Sequence, residues 1–330
     1  MTSGLIRSHP ARAAAALVLL LVLATNTLRW ESVPPAFDGL AVIHFRHVPL
    51  DASAPDRRRL GSLVYLGGWS LGSGNERFGG ISAMHVGSDV IALTDGGLIV
   101  RFPIPNAPSG TLRGRIEKLW EKSGWPVKKE ARDTEALAVA GGFAWVGYER
   151  RNIIARFRTT DWKRQGFARP AAMRHWRRNG GNEALVRLRD GRFLVFAERT
   201  PRGVATPPLL LFDGDPAVVG THYATLAYRA PAGYLVTDAA ELPDGRLLIL
   251  NRRLSFATGI SARLAVATLP KEGDVEGREI ATFEPPVTVD NMEALSVTRE
   301  GGRTIVWIAS DDNYSRPLQR TLLMKFALVD

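Results

Sequence analysis

The stretches Asp133-Thr134-Glu135-Ala136-Leu137, Gly181-Asn182-Glu183-Ala184-Leu185 and Asn291-Met292-Glu293-Ala294-Leu295 are one phrase written three times, each followed by a β-rich run ending in polar or charged residues. Weaker copies, Gly79-Gly80-Ile81-Ser82-Ala83 and Val236-Thr237-Asp238-Ala239-Ala240, fall in the same phase. Taking Ser82, Glu135, Glu183, Asp238 and Glu293 as equivalent gives steps of 53, 48, 55 and 55 residues. A period of about fifty suits one four-stranded propeller blade per repeat, whereas helical solenoid periods are mostly shorter.

Each repeat reads as an acid-bearing strand, a turn, and a second strand with a polar end. Those ends are Thr94-Asp95, Tyr148-Glu149-Arg150, Ala197-Glu198-Arg199, Leu250-Asn251-Arg252 and Ser310-Asp311-Asp312-Asn313. Glu135 and Glu149 are fourteen residues apart, Glu183 and Glu198 fifteen, and Asp238 and Arg252 fourteen, the length of one hairpin. The second strand therefore ends at the level where the first begins. In a propeller the innermost strand lines the central channel, so the first-strand acids are expected to ring one mouth of it, with an arginine collar behind.

The expected fold is all-β: a single propeller of five four-stranded blades, six being the alternative count with an extra blade in residues 37–77. The last blade would be built from residues 291–328 and completed by an amino-terminal strand from residues 40–70, which removes free sheet edges. Turn pairs such as Asp190-Gly191 and Asp244-Gly245 separate the strand runs, because Gly accepts positive φ and Asp bonds its own following backbone. Only residues 116–122 and 170–178 read as helical.

Residues 1–12 carry Arg7, His9 and Arg12 and no acid, and Ala13 to Thr25 is an unbroken run of small and apolar side chains. Thirteen residues fall short of the roughly twenty a membrane span needs. Residues 1–30 are therefore expected to be an export signal or an amino-terminal membrane anchor, with residues 31–330 forming one extracytoplasmic domain, periplasmic or secreted. There is no cysteine, which excludes disulfides, thiolate catalysis and iron–sulfur clusters. The formal charge is +10, and +7 without residues 1–30. A field of that sign favours a small anionic substrate or ligand. Nucleic acid is not an expected partner, and the expected state is a monomer.

The succession FGGIS (78–82), ALTD (92–95), DTEAL (133–137), GNEAL (181–185), AER (197–199), TDAAELPDGRLLILNRR (237–253), NMEALSV (291–297) and SDDNYSRPLQRTLLMKFAL (310–328) resembles the phytase-like family, extracytoplasmic bacterial proteins labelled "esterase-like activity of phytase". The resemblance runs from about residue 78 to 329. It implies a relation to β-propeller phytases, calcium-dependent enzymes that hydrolyse phosphomonoesters at an acidic channel mouth. Carried over position by position, it points to Asp95, Glu135, Glu149, Glu183, Glu198, Asp238, Arg252, Glu293, Asp311, Asp312 and Asn313. The sequence departs from the phytase pattern in its basic charge and in the Arg that follows Glu149, Glu198 and Asn251. Those departures weigh against a cage of several calcium ions.

Calcium takes six to eight oxygens, which Asp95, Glu149, Glu183, Glu198, Asp238, Asp311, Asp312 and Asn313 are candidates to supply. For ester hydrolysis, Glu135 or Glu293 would take a proton from water and Arg252 would clamp the anion, with Arg150, Arg199 and Arg253 as further substrate contacts. The alternative is a non-catalytic propeller that binds an anionic ligand or cell-envelope partner, its acids paired with these arginines as scaffolding. A serine esterase is not expected: the G-x-S-x-G spacing at Gly68-Trp69-Ser70-Leu71-Gly72 falls in a β-rich run, and an all-β chain lacks the α/β sheet on which a nucleophile elbow is built. No histidine pair has zinc-ligand spacing, and His85, three residues after Ser82, reads as a structural histidine.

Overall fold

A computed structural model describes residues 39–124, 132–255, 257–316 and 318–329. Three strands precede the repeats: β1 (Leu40–His47), β2 (Arg59–Leu60) and β3 (Leu63–Ser73). The first repeat comprises β4 (Ile81–Val86), β5 (Asp89–Thr94), β6 (Leu98–Pro103), β7 (Ser109–Lys118) and a short helix α1 (Leu119–Ser123). The second is β8 (Thr134–Ala140), β9 (Phe143–Tyr148), β10 (Ile153–Arg158) and β11 (Arg164–Ala168). After a 3-10 turn at Ala171–His175 come β12 (Asn182–Arg187), β13 (Phe193–Ala197), β14 (Pro208–Phe212) and β15 (Tyr223–Arg229). The fourth repeat holds β16 (Leu235–Glu241), β17 (Leu247–Ser255), β18 (Gly259–Ala267), β19 (Val275–Glu276) and β20 (Arg278–Phe283), and the fifth β21 (Met292–Glu300), β22 (Arg303–Ser310) and β23 (Thr321–Leu328).

Successive strands of a repeat pair antiparallel, except that β19 lies parallel to β15 at the edge of the third repeat's sheet and β18 pairs directly with β20; the first strands contact one another in a closed cycle, β4 to β8 to β12 to β16 to β21 and back to β4. This is the arrangement of a β-propeller with the first strand of each repeat innermost. The carboxy-terminal β23 pairs with β3, β3 with β1, and β1 with β7, so the amino-terminal strands join the last repeat to the first in one ten-stranded sheet. The strands of residues 37–77 thus belong to this shared sheet, and β1 supplies a bridge that the sequence reading did not foresee.

The core is divided among the contacts between neighbouring repeats. One apolar cluster joins the first repeat to the second around Leu93, Val146 and Phe157, and others join the second to the third around Trp145 and Phe193 and the third to the fourth around Phe196 and Ile249. The fourth meets the fifth around Leu264, Phe283 and Phe326, and the fifth meets the first around Trp307 and Phe102. Middle strands are covered on both faces. They therefore read as continuous apolar runs, as in Phe193–Ala197, where every residue is buried. Truncating a fully buried aromatic such as Trp307 to Ala would cost about 3–5 kcal/mol.

Residues 116–118, expected to be helical, are the end of β7, and α1 begins only at Leu119. The second expected helix reduces to the 3-10 turn. Among the described residues no helix is long and apolar enough to cross a membrane, and the run 13–25 lies outside the described residues.

Candidate functional site

Each first strand carries a β-bulge at the repeated motif. The register slips between Ile81 and Ala83, Thr134 and Ala136, Asn182 and Ala184, Val236 and Asp238, and Met292 and Ala294. The extra residue is therefore Ser82, Glu135, Glu183, Thr237 and Glu293 in turn. A bulge leaves one residue outside the ladder and re-aims its side chain, a device common beside active sites. The fourth position corrects the sequence alignment, because Thr237 and not Asp238 is the equivalent of the glutamates. The weak copy has no Glu to mark the phase, and its nearest acid, Asp238, lies one residue along.

Behind each bulge the second strand delivers its exit residue. Backbone N–H groups of Asp95, Glu149, Glu198 and Asp311 donate to the carbonyls of Gly80, Asp133, Gly181 and Asn291, each two residues before the bulge, and Arg252 pairs with Leu235 at the same level. The bulge and exit residues of each repeat thus stand at one level of the sheet: Ser82 and Asp95, Glu135 and Glu149, Glu183 and Glu198, Thr237 and Arg252, and Glu293 and Asp311. Hydroxyls replace carboxylates at two bulges, and both donate to the next first strand, Ser82 Oγ to the Thr134 carbonyl at 2.6 Å and Thr237 Oγ1 to the Met292 carbonyl at 3.1 Å.

These carboxylates sit close enough to resist ionisation together. Burial, then the charges of Glu183, Asp133, Glu149 and Asp95, lifts Glu135 well above the usual carboxylate range. Glu183 is lifted in the same way by burial and then by Glu198, Glu149 and Glu293. Burial raises Glu149 to about 7 against the pull of the Gly180 N–H, and raises Glu293 to about 7 against the nearby Arg252. Asp311 is pushed well up by burial and then by Asp95 and Glu293. Such a mutual rise marks a site with more negative charge than its own cations offset.

Arg252 is the main internal counter-charge. Its Nη1 lies 2.5 Å from both Glu293 Oε1 and Asn291 Oδ1, and its Nη2 lies 3.3 Å from Glu198 Oε1. Arg150 Nε meets Asp133 Oδ2 at 2.5 Å, and Arg199 Nε meets Glu198 Oε2 at 2.9 Å. Arg253 instead stacks on the Tyr234 ring, with its guanidinium carbon 4.8 Å from the centroid.

Two overlapping sets, Asp133 with Glu135 and Glu149, and Glu149 with Glu183 and Glu198, each bring one oxygen per residue within 4.8 Å of the others. Two ligands of one calcium ion lie at most about 4.8 Å apart, twice a calcium–oxygen distance of about 2.4 Å. The buried acidic clusters can therefore hold a metal ion, and hard oxygen donors suit calcium. Asp133 joins this set although it is not among the candidate ligands read from the sequence; its position two before Glu135 in the repeated motif was the available signal.

Three other candidates are engaged elsewhere rather than gathered in the ring, two by backbone N–H groups and one by a side chain. Asp238 accepts from the N–H groups of Ala239 at 2.8 Å and Leu295 at 2.6 Å, stitching the fourth repeat to the fifth. Asp312 accepts from the Gly80 N–H at 2.8 Å and pairs with Arg316 at 3.3 Å, latching the last repeat to the first. Asn313 donates its amide to Gln319 at 3.1 Å. His85 is half-buried on β4, and burial lowers its pKa.

A β-propeller with an acidic ring at its first strands is the class that fold and site define. Residues 76–314 match the family model described as "Phytase-like: Esterase-like activity of phytase", and the chain belongs to that family. No curated protein sequence matches it. Among solved structures it is similar to glutaminyl cyclase of Myxococcus xanthus, with 14% identity, 76% of this chain and 92% of that one covered, and a TM-score of 0.42. It is also similar to the major allergen Mala s 1 of Malassezia sympodialis, with 11% identity, coverage of 88% and 96%, and a TM-score of 0.44. A third is the Cps50 (Swd1) β-propeller domain of Myceliophteria thermophila, with 10% identity, coverage of 79% and 76%, and a TM-score of 0.37. None of these names describes this chain.

Proposed function

We propose that the protein is an extracytoplasmic, metal-assisted hydrolase of phosphate or other anionic esters, working as a monomer at the acidic mouth of a five-bladed propeller. Five blades accord with the closed cycle of first strands and the core cluster between each neighbouring pair of repeats. The observation that carries the function is the break in the ring: where the other repeats offer acids, the fourth offers Thr237 and Arg252. One guanidinium facing a field of carboxylates provides an anion fork beside oxygens suited to a hard cation.

Either of the two sets that share Glu149, with Asp133 and Glu135 or with Glu183 and Glu198, would hold the cation. Bound there, calcium supplies polarisation of a phosphoryl or carbonyl oxygen and offsets the surplus negative charge. Arg252 orients the ester through its fork. Glu293, in contact with Arg252 and raised to about 7, is suited to take a proton from water near neutrality, with Glu135 the other candidate. Arg150 and Arg199 flank the mouth, and Ala13 to Thr25 would direct or anchor the chain outside the cytoplasm.

The ion pairs of Arg252 with Glu198 and Glu293 favour a second reading, in which the same mouth binds an anionic ligand or an envelope partner without turnover. The deciding experiment is phosphate release from phytate and simple phosphomonoesters by the full chain, with calcium and with a chelator. Turnover that needs calcium supports the hydrolase. No turnover of any ester in calcium overturns it and leaves the binding reading.

A further inference from the structure

Beside the ring opens a groove of about 610 Å³ lined by His175, Arg177, Arg178, Asn179 and Arg202. All five are exposed, and none of these lining residues is acidic. The charge is thus opposite in sign to that of the ring a few residues away at Glu183 and Glu198.

The backbone that carries these cations is held firmly. Met173 and Trp176 are buried in the core between the second and third repeats. Asn152, at positive φ and buried, donates through Nδ2 to the carbonyls of Trp176 at 3.1 Å and Arg177 at 3.3 Å. The Gly180 N–H donates to Glu149, and Arg177 Nε donates to the Thr200 carbonyl at 2.9 Å, tying the lip to the segment after Glu198. Polar contacts continue inward. A Cβ on Gly180 would lie 2.4 Å from Arg199 Cδ, so the Arg199 stem covers that glycine while its head pairs with Glu198, which in turn meets Arg252.

We propose that this groove is a binding site for a soluble phosphate-type polyanion, distinct from the carboxylate ring. Guanidinium groups present planar donor forks that match phosphate oxygens, and a fixed backbone reduces the ordering that binding would otherwise require. The volume falls in the range of roughly 300–1,000 Å³ usual for small-molecule sites. Because the cations face water, binding should weaken as salt screens them.

The test is calorimetric titration of inorganic pyrophosphate into the full chain, in chelator so that no ester chemistry or metal–pyrophosphate complex intervenes. Expected are binding at low salt, at least tenfold weaker binding in R177A/R202A, and affinity within about threefold of the parent in E135Q. If R177A/R202A does not fold, R202A alone serves, since Arg202 is exposed, and a loss of about threefold or more is expected. Absence of binding by the parent chain, binding unchanged in the groove variants, or binding lost in E135Q would overturn the proposal. The assay has no turnover step, so failure of the hydrolase reading leaves its result intact.

Discussion

Arg252 occupies in the fourth repeat the position that Glu198 occupies in the third, and the two side chains meet at 3.3 Å. A basic residue has replaced an acid at one point of an otherwise acidic circuit. The substitution makes the ring lopsided, and it places a guanidinium next to the densest group of carboxylates.

Removing that cation should be costly. Breaking a buried ion pair strands the remaining charges, so R252A is expected to lower stability by about 3–5 kcal/mol in chemical denaturation near neutral pH. R252K should recover part of the loss, because an ammonium supplies the charge but not the fork that reaches Asn291, Glu293 and Glu198 together.

Stability should fall as pH rises. Glu149 and Glu293 are lifted from 4.5 to about 7, so between those values the folded chain holds protons that the unfolded chain has released. Their contribution is complete below about pH 4.5 and is lost as pH passes about 7, by a few kcal/mol in total. Urea denaturation in chelator at pH 5 and pH 8 checks this, and a stability that climbs over that interval would refute it.

Calcium should reverse the loss. A cation bound by Glu149, Glu183 and Glu198 stabilises the folded state by mass action, so the thermal midpoint at pH 8 should rise with calcium and drop again in chelator. E183Q separates scaffold from ligand. In chelator it removes one of several crowded buried charges and should stabilise by about 1–3 kcal/mol, while the calcium-dependent gain shrinks.

Gly181 is held between two repeats. A Cβ there would lie 2.1 Å from Asn152 Oδ1 and 2.8 Å from the Arg177 carbonyl. G181A should cost about 1–3 kcal/mol by overpacking and should disturb the Asn152 bonds to Trp176 and Arg177. Denaturation together with pyrophosphate titration would register both effects.

The innermost and middle strands were legible because neighbouring repeats cover them and demand apolar side chains, as in Phe193–Ala197 and Thr304–Ala309. The outermost strands were not. Residues 109–118, 164–168, 223–229 and 278–283 are partly exposed and lose the alternation that marks a strand, so the sequence does not mark β7, β11, β15 and β20 individually. Register was hidden for a related reason: a bulge adds one residue without a compositional mark, and only pairing with Asn251 and Leu250 identifies Thr237 as the fourth bulge residue.

By itself the sequence determined a β-rich repeat of about fifty residues with an acid near the start of most copies, because period and turn chemistry are local properties of the chain. Tertiary structure alone decided which acids meet. Glu135, Glu149, Glu183, Glu198, Glu293 and Asp311 converge because five bulges aim their strands at one mouth, whereas Asp238 and Asp312 are drawn off by backbone N–H groups of neighbouring repeats. A buried N–H must find an acceptor somewhere, and which carboxylate it takes depends on the partner strand that lies beside it.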